Sequence, residues 1–281
     1  MWEIFMRVKM NHQKLAFIGT GNMAYSIIQG LLKSHYPASQ IIACNKSNLA
    51  RRAELQAVGI TTNFTNRAAV EQAEVVVLAV KPQMMAEVCS EFSAVDFSNK
   101  TVISVAAGIS VARLEQLLPT AKNIIRTMPN TPSLIGEGMT GLFAKKSVNS
   151  TACQFAESLM SAVGKCYWVE QEQQINHIIA VTGSSPAYFF RFMEAMQQSA
   201  MQMGFSEADA RLLVQQAALG AAKLVEANPN TPLSTLRENV TSKGGTTAKA
   251  LEVFEQHALA ETVDQAMWAA IHRAEEMEQQ L

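Results

Sequence analysis

Short apolar runs alternate with stretches of helical periodicity along the first half of the chain. Five runs indicate buried strands, at residues 14–19, 41–44, 75–80, 101–106 and 123–128. The segments between them predict helices near residues 22–33, 47–57, 83–91 and 110–117. Strands separated by helix-length segments are typical of βαβ units, and fully apolar strands fit a sheet covered on both faces. The pattern predicts an α/β fold with a doubly wound parallel sheet.

Beyond residue 169 the strand pattern stops and longer helical patterns follow. They predict helices near residues 171–181, 185–203, 206–227, 232–239, 246–256 and 258–279. Small residues are dense there, as in QQAALGAAK at 215–223, which permits close helix packing. We therefore expect an α/β domain at 14–169 and an all-helical domain at 170–281.

Residues 1–13, MWEIFMRVKMNHQ, precede the first predicted strand. They lack the long apolar core and small-residue cleavage site of a signal peptide. We expect a disordered N-terminal tail, with Met10 as an alternative natural start.

Composition narrows the classes of function. The chain has 281 residues and a formal net charge of -1, so it lacks the basic excess that nucleic-acid binding requires. The sequence has no apolar run of about 18 residues, so we expect no membrane span. Four scattered cysteines and five histidines show no metal-ligand spacing. We expect a soluble cytoplasmic protein with reduced cysteines and no metal site.

The segment GTGNMA at 19–24 follows the first strand and opens a helix, giving the pattern GxGxxA. Gly19 permits a tight turn, Gly21 lets the backbone approach a pyrophosphate, and Ala24 allows close packing of helix on strand. The alternative is a tight βα turn without a ligand. Under the dinucleotide interpretation the predicted contacts are Gly19, Thr20, Gly21, Asn22 and Met23.

The end of the second strand bears on which dinucleotide binds. NAD-binding folds carry an Asp or Glu there for the ribose 2′-hydroxyl, whereas this strand ends in Asn45 and Lys46, with Arg51 and Arg52 shortly after. Neutral donors and cations favour a 2′-phosphate, and hence NADPH, with NADH as a second option. The two arginines fit a solvated basic helix face equally well.

Several segments together resemble the pyrroline-5-carboxylate reductase family. They are FIGTGNMA, LAVKPQ, SVAAGI, IIRTMPNTP, GSSPAY and, near the C-terminus, VTSKGGTTAKAL at 240–251. The similarity runs from about residue 14 to the end of the chain. It implies NAD(P)H-dependent reduction of 1-pyrroline-5-carboxylate to L-proline, the last step of proline biosynthesis. It also implies a Rossmann domain, a helical dimerisation domain, and a homodimer or an oligomer of dimers.

The resemblance implies further cofactor contacts, which fall at strand ends. Asn66 would lie near the adenosine ribose and its 2′-phosphate. In open α/β sheets ligands lie outside the carboxyl ends of the strands, where the remaining candidates stand. Those candidates are Val80, Lys81, Pro82, Ala106, Ala107, Gly108, Met128, Pro129 and Asn130. The prolines among them have an alternative role as strand stops or helix starts.

The same resemblance makes the late glycine pair the substrate site. A substrate carboxylate is well held by unpaired backbone amides at a helix start, which glycines leave open. The implied substrate contacts are Ser242, Gly244, Gly245, Thr246 and Thr247. Thr247 is the predicted catalytic residue, as hydrogen-bond partner of the ring nitrogen. An ordinary N-cap formed by a Ser or Thr is the structural alternative.

Two other functions compete with this interpretation. A 3-hydroxyacid dehydrogenase would combine similar domains, but that class has a catalytic lysine early in its helical domain, and no lysine lies between Lys165 and Lys223. A noncatalytic NADP-binding sensor would not require the TSKGGTT loop.

In GSSPAY, Ser185 is predicted as an N-cap and Pro186 as the first helical residue, and the resemblance adds Ser184 and Ser185 as secondary site candidates.

Overall fold

A computed structural model describes residues 12–46 and 48–280 of the chain. Most of the predicted N-terminal tail, residues 1–11, lies outside the described residues. His12 and Gln13 have no regular secondary structure, and the Gln13 carbonyl accepts a hydrogen bond from the Tyr36 hydroxyl. No helix in the described ranges is long and apolar enough to cross a membrane.

Seven strands form one sheet in the order β2-β1-β3-β4-β5-β6-β7. The first five strands pair in parallel and confirm the five predicted apolar runs. The fold class, a Rossmann-like α/β sheet with a helical C-terminal region, is confirmed. The strands are β1 Leu15–Ile18, β2 Ile41–Cys44, β3 Val75–Leu78, β4 Thr101–Ser104, β5 Asn123–Met128, β6 Gly138–Ala144 and β7 Gly164–Trp168.

Both faces of the parallel part are buried because successive side chains point to opposite sides. In β1, Leu15 and Phe17 pack into one apolar cluster, while Ala16 and Ile18 pack into the other. The clusters are completed by helices α1 Asn22–Lys33, α2 Leu49–Ala57, α3 Asn66–Gln72, α4 Met85–Ser90, α5 Val111–Leu117, α6 Ser150–Ser161 and α7 Gln174–Ile178. The sheet is therefore covered on both sides.

Strands β6 and β7 and helices α3 and α6 were missed by the sequence analysis. β6 runs antiparallel to β5, and β7 returns parallel to β6 at the edge of the sheet. Glycines weaken a strand pattern, yet here they allow close approach, since a Cβ on Gly164 would lie 2.0 Å from the Gly138 carbonyl oxygen. β7 alternates partly buried and exposed positions, as an edge strand does, so it gives no continuous apolar run.

The predicted helix at 171–181 is divided. Helix α7 ends at Ile178, and a short π-helical segment, Ile179–Gly183, follows it. Ser185 is the first residue of the next helix and Pro186 the second, so the predicted N-cap at Ser185 is wrong by one position. The residue before it, Ser184, has αR backbone angles rather than the extended angles of an N-cap.

Five helices follow the π-helical segment: α8 Ser185–Gln202, α9 Glu207–Ala227, α10 Leu233–Asn239, α11 Thr246–Gln256 and α12 Leu259–Gln280. By internal contacts the chain forms two compact units, with Ser185–Ala269 as the helical unit. The other, the α/β unit, contains the described residues up to Ser184 and those from Ala270 onward. This division falls later than the predicted domain boundary at 169/170, and it assigns the end of α12 to the α/β unit.

The end of α12 is held in the α/β unit by a buried cation. Arg126 in β5 is 1% exposed, and its guanidinium donates to Glu172 at 3.0 Å and to Glu278 at 2.7 Å. Asn176 accepts from the same guanidinium and donates to the second carboxylate oxygen of Glu278. A buried charge requires such partners, so this cluster fixes the last turns of α12.

Candidate functional site

The first glycine turn has no room for a side chain at Gly19. Its φ is +95°, and an added Cβ would lie 2.6 Å from the Ala79 carbonyl oxygen. The Gly19 amide donates to the Cys44 carbonyl at 3.0 Å, which links the turn to the end of β2. Glycine is required here for both backbone angle and space.

Helix α1 begins beside this turn with its first amides uncapped by any side chain. Its N-cap is Gly21, whereas five other described helices are capped by side chains, those of Asn48, Thr65, Ser110, Asn149 and Ser206. An added Cβ on Gly21 would meet no atom within 4 Å, so the space in front of the helix is open. Unpaired amides at an open helix start can bind a pyrophosphate, so the start of α1 fits that part of a dinucleotide.

Three predicted cofactor residues, Asn45, Lys46 and Asn66, line one cavity at the end of β2. Asn45 also connects the cavity with the glycine turn, because its amide donates to the Thr20 hydroxyl at 2.6 Å. The cavity has a volume of about 400 Å³ and is lined by Cys44, Asn45, Lys46, Arg52, Thr62, Asn63, Phe64, Thr65, Asn66 and Glu91. The structure thus brings together residues from two βα units.

Glu91, a residue that the sequence analysis missed, belongs to this cavity. One carboxylate oxygen lies 2.5 Å from the Lys46 ammonium, and the other accepts from the Asn66 amide at 3.1 Å. Hydrogen bonding to Glu91 raises the pKa of Lys46. No acidic residue stands at the end of β2, but a carboxylate reaches the same cavity from the end of α4. The cavity therefore contains an acidic side chain although the end of β2 carries none.

The two arginines after β2 have different surroundings. The Arg52 guanidinium lies in the cavity and donates to Asn63 at 3.2 Å. The Arg51 guanidinium lies 3.5 Å above the centre of the Tyr25 ring and pairs with Glu54. Only Arg52 of the pair lines the cavity.

The remaining cofactor candidates stand at the end of β5 or just after β3, β4 and β5, at one edge of the parallel sheet. Pro82 begins a short 3₁₀ turn, and Gly108 has a φ of +72°. The buried Asn130 is engaged within the protein, since its amide donates to the Thr182 carbonyl and its side-chain oxygen accepts from the Met139 amide, both at 2.9 Å. These bonds give Asn130 a structural role in holding the loop after β5.

Burial also separates the strand-end candidates. Lys81 is exposed, and Ala106, Gly108, Pro129 and Asn130 are buried. The side chains of intermediate exposure are Val80, Pro82, Ala107 and Met128. The terminal methyl of Met128 would lie 3.3 Å from a Cβ on Gly183, so Met128 borders the π-helical segment. Among the described residues, no three His, Cys, Asp or Glu side chains are grouped closely enough to hold a metal ion.

In the helical unit, the TSKGGTT loop repeats the uncapped helix start of α1. Gly244 has a φ of +73°, and Gly245 is the N-cap of α11 without a capping side chain. The structure therefore contradicts the alternative of a Ser or Thr side-chain cap. Thr246 and Thr247 occupy the first turn with exposed side chains, and Ser242 is exposed as well. Exposed hydroxyls beside uncapped amides can bind a small carboxylate.

Comparison with known proteins gives two family matches. Residues 172–277 match the family described as pyrroline-5-carboxylate reductase dimerisation. Residues 14–108 match the family described as NADP oxidoreductase, coenzyme F420-dependent. Together the matches fall on both the α/β and the helical parts of the chain.

Individual proteins are similar over nearly the whole chain. A pyrroline-5-carboxylate reductase of Vibrio alginolyticus is 57% identical over 269 residues, covering 96% of this chain and 99% of the relative. A solved pyrroline-5-carboxylate reductase from Coxiella burnetii is 40% identical with a TM-score of 0.88, over 95% and 99% of the two chains. A Plasmodium falciparum pyrroline carboxylate reductase solved with NADP bound is 26% identical with a TM-score of 0.85, over 96% and 99%.

Proposed function

This chain belongs to the pyrroline-5-carboxylate reductase family, and we propose that it uses NADPH to reduce the C=N bond of 1-pyrroline-5-carboxylate, giving L-proline. The main support for this proposal is the 57% identity to the Vibrio alginolyticus reductase, which extends over 99% of that relative. The match to an NADP oxidoreductase family over residues 14–108 and the NADP in the Plasmodium falciparum relative support the cofactor.

The glycine turn and the start of α1 would hold the cofactor pyrophosphate. The open space at Gly21 and the uncapped amides there support this assignment. Asn45, Lys46 and Asn66 would hold the adenosine ribose and its 2′-phosphate, since a cation and two amides suit that anion. The cofactor, when bound, supplies the hydride. The other proposed turn contacts are Thr20, Asn22 and Met23.

The nicotinamide half would lie along the strand ends after β3, β4 and β5. Their position at the carboxyl edge of the sheet supports the assignment, because ligands of open α/β sheets lie there. The bonded Asn130 would act by fixing the loop around it. The residues proposed for this part are Val80, Lys81, Pro82, Ala106, Ala107, Gly108, Met128, Pro129 and Asn130.

The start of α11 would bind the substrate carboxylate. Gly245 supplies an N-cap without a side chain, so the first-turn amides are available to an anion. The exposed hydroxyls of Ser242 and Thr246 would add hydrogen bonds.

Thr247 would be the hydrogen-bond partner of the ring nitrogen, because its hydroxyl can donate to a neutral imine nitrogen or accept from the N–H of an iminium. Reduction places the hydride on the imine carbon and requires one proton on nitrogen, which solvent or an already protonated iminium provides. The chain's contribution is then chiefly orientation of the reacting groups, which can lower a barrier by up to about 7–11 kcal/mol. Thr247 would add an interaction that strengthens as charge shifts toward nitrogen.

We further propose a cytoplasmic homodimer. The dimerisation family match at 172–277 supports pairing of two chains. Large apolar side chains are exposed in the helical unit, including Phe189, Phe190, Met203, Leu212 and Leu233, and a second chain could cover them. The cysteines Cys44, Cys89, Cys153 and Cys166 are all free thiols, which suits a reducing compartment.

A spectrophotometric assay of NADPH oxidation tests the proposal directly. Purified protein with 1-pyrroline-5-carboxylate should oxidise NADPH and form proline in equal amounts. NADH should support a lower kcat/KM, because a 2′-phosphate on charged donors gains about 1–3 kcal/mol. Cofactor oxidation without proline, or none above a no-substrate control, would contradict the reductase. Equal efficiency with NADH would contradict the cofactor preference alone.

A further inference from the structure

The strongest unexplained feature is that both predicted phosphate donors are already bonded to one carboxylate. Glu91 engages the Lys46 ammonium with one oxygen at 2.5 Å and the Asn66 amide with the other at 3.1 Å. Glu91 stands at the C-cap of α4, and Lys46 follows β2, so the bridge joins two separate βα units. The carboxylate therefore stands where an anionic ligand group would be recognised.

We propose that Glu91 determines the balance between the two nicotinamide cofactors, by occupying Lys46 and Asn66 in place of a 2′-phosphate. The inference rests on the proposed binding of the adenosine end in this cavity. A phosphate and a carboxylate are both anions, so they repel each other and compete for the same donors. Binding of the phosphate must break or share the bonds of Glu91.

A cofactor with a 2′-hydroxyl meets no such competition. A hydroxyl can donate to a carboxylate oxygen, which is the role that an acid at the end of the second strand has in NAD-binding folds. In this chain the acid comes from the end of α4 instead. Glu91 thus disfavours the phosphorylated ribose and tolerates the unphosphorylated one, so it narrows the preference for NADPH.

Burial indicates which partner moves. The Lys46 side chain is 72% exposed, whereas the Glu91 side chain is 27% exposed. Asn66 is buried, at the first position of α3, where the Thr65 hydroxyl caps the helix. Lys46 can therefore turn toward a phosphate at small cost, while Glu91 and Asn66 keep their places and the carboxylate remains beside the ligand.

The test measures binding of two fragments that differ only in the 2′-phosphate. Adenosine 2′,5′-bisphosphate and adenosine 5′-monophosphate are titrated calorimetrically into the wild-type protein and into Glu91→Gln. Removing the charge should tighten the bisphosphate by about fivefold, as expected for loss of a competing, partly exposed ion pair. The monophosphate should change by less than about twofold, because its 2′-hydroxyl is uncharged and can donate to the oxygen of a glutamine as well as to a carboxylate.

Glu87→Gln is the matched control. Glu87 is an exposed carboxylate one turn earlier on α4, it acts on Lys46 only at longer range, and it does not line the cavity. The ratio of the two affinities should stay at its wild-type value in this variant. A ratio that is unchanged in Glu91→Gln, or that shifts equally in Glu87→Gln, would overturn the proposal. Glu91→Ala provides a second variant with the same expected direction should the glutamine variant fold poorly.

A double-mutant cycle tests whether Glu91 affects phosphate binding by pairing with Lys46. In a Lys46→Gln background the gain from Glu91→Gln should shrink, because the displaced ion pair no longer exists. An equal gain in both backgrounds would overturn the competition for Lys46. The fragments contain no nicotinamide and the titration contains no pyrroline carboxylate, so a chain inactive as a reductase would still give the predicted ratio. Failure of the wild type to bind either fragment would overturn both the cavity assignment and the role of Glu91.

Discussion

At the scale of single residues, we predict that the Thr247 side chain affects turnover more than substrate binding. Its hydroxyl and its backbone amide both lie in the first turn of α11, and only the hydroxyl is lost in Thr247→Ala. The carboxylate of the substrate should still bind to the amides, while the ring nitrogen loses its partner. We expect kcat to fall about tenfold, equivalent to ~1.4 kcal/mol, with KM changed much less. Steady-state kinetics with saturating NADPH measures both parameters.

Two neighbouring variants control this measurement. Thr247→Ser keeps the hydroxyl and should retain most of the turnover. Thr246→Ala removes the adjacent exposed hydroxyl and should affect KM rather than kcat. Full turnover in Thr247→Ala would show that another group assists the nitrogen.

At the scale of elements, we predict different roles for the two glycines of the first βα turn, one in stability and one in cofactor binding. Gly19 has a φ of +95° and no space for a Cβ, so Gly19→Ala should lower the free energy of unfolding by about 1–3 kcal/mol. Gly21 has a φ of -65° and open space, so Gly21→Ala should alter stability by less than about 0.5 kcal/mol. The Gly21 variant should instead weaken NADPH binding by about tenfold, or ~1.4 kcal/mol, because its methyl enters the pyrophosphate space.

Denaturant unfolding measures the effect on stability, and NADPH fluorescence titration measures the effect on cofactor affinity. Each glycine variant is the control for the other, since they lie two positions apart in the same turn. Gly21→Ala with wild-type NADPH affinity would contradict the pyrophosphate assignment. Gly19→Ala with wild-type stability would contradict the requirement for glycine at that position.

The elements also show where sequence reasoning succeeds. A strand buried on both faces needs a continuous apolar run, so β1 to β5 were predictable from local sequence. β6 carries two glycines and β7 lies half exposed at an edge, and their pairing depends on close packing that only the folded chain reveals. Glu91 was missed for a related reason. Its contact with Lys46 joins two βα units, and no spacing within either unit encodes it.

At the scale of the whole molecule, we predict that each active site is completed by two chains of a dimer. The motivation is the apolar surface of the helical unit and the distance in sequence between the two glycine motifs. Gly21→Trp should disable the cofactor turn, and Gly245→Trp the substrate loop. Each variant alone should be inactive. A mixed dimer with shared sites contains one intact site, so random pairing should restore about a quarter of wild-type activity.

Co-expression with two different affinity tags isolates the mixed dimers, which should then have about half of the wild-type activity per dimer. Wild-type chains carrying the same tags provide the reference activity. Mixed dimers that remain at background activity would show that each site lies within one chain.

The end of the chain should contribute to the stability of the α/β unit. Glu278→Gln weakens a charge-assisted bond to the buried Arg126, so unfolding should require about 1–2 kcal/mol less. Glu276→Gln is the control, because Glu276 pairs with Arg273 on the exposed surface of the same helix and should matter by less than about 0.5 kcal/mol. Denaturant unfolding compares them, and equal losses would remove the special role of Glu278.

The return of α12 to the α/β unit also has a consequence for biosynthesis. The α/β unit includes residues from Ala270 onward, which leave the ribosome after all seven of its described strands. Until they emerge, Arg126 has no Glu278 to pair with. A prematurely terminated chain would therefore retain an incompletely neutralised cation in its interior, and chains in that condition open more often and are degraded sooner. We therefore expect the α/β unit to reach its full stability only after the last turns of α12 are synthesised, long after its strands.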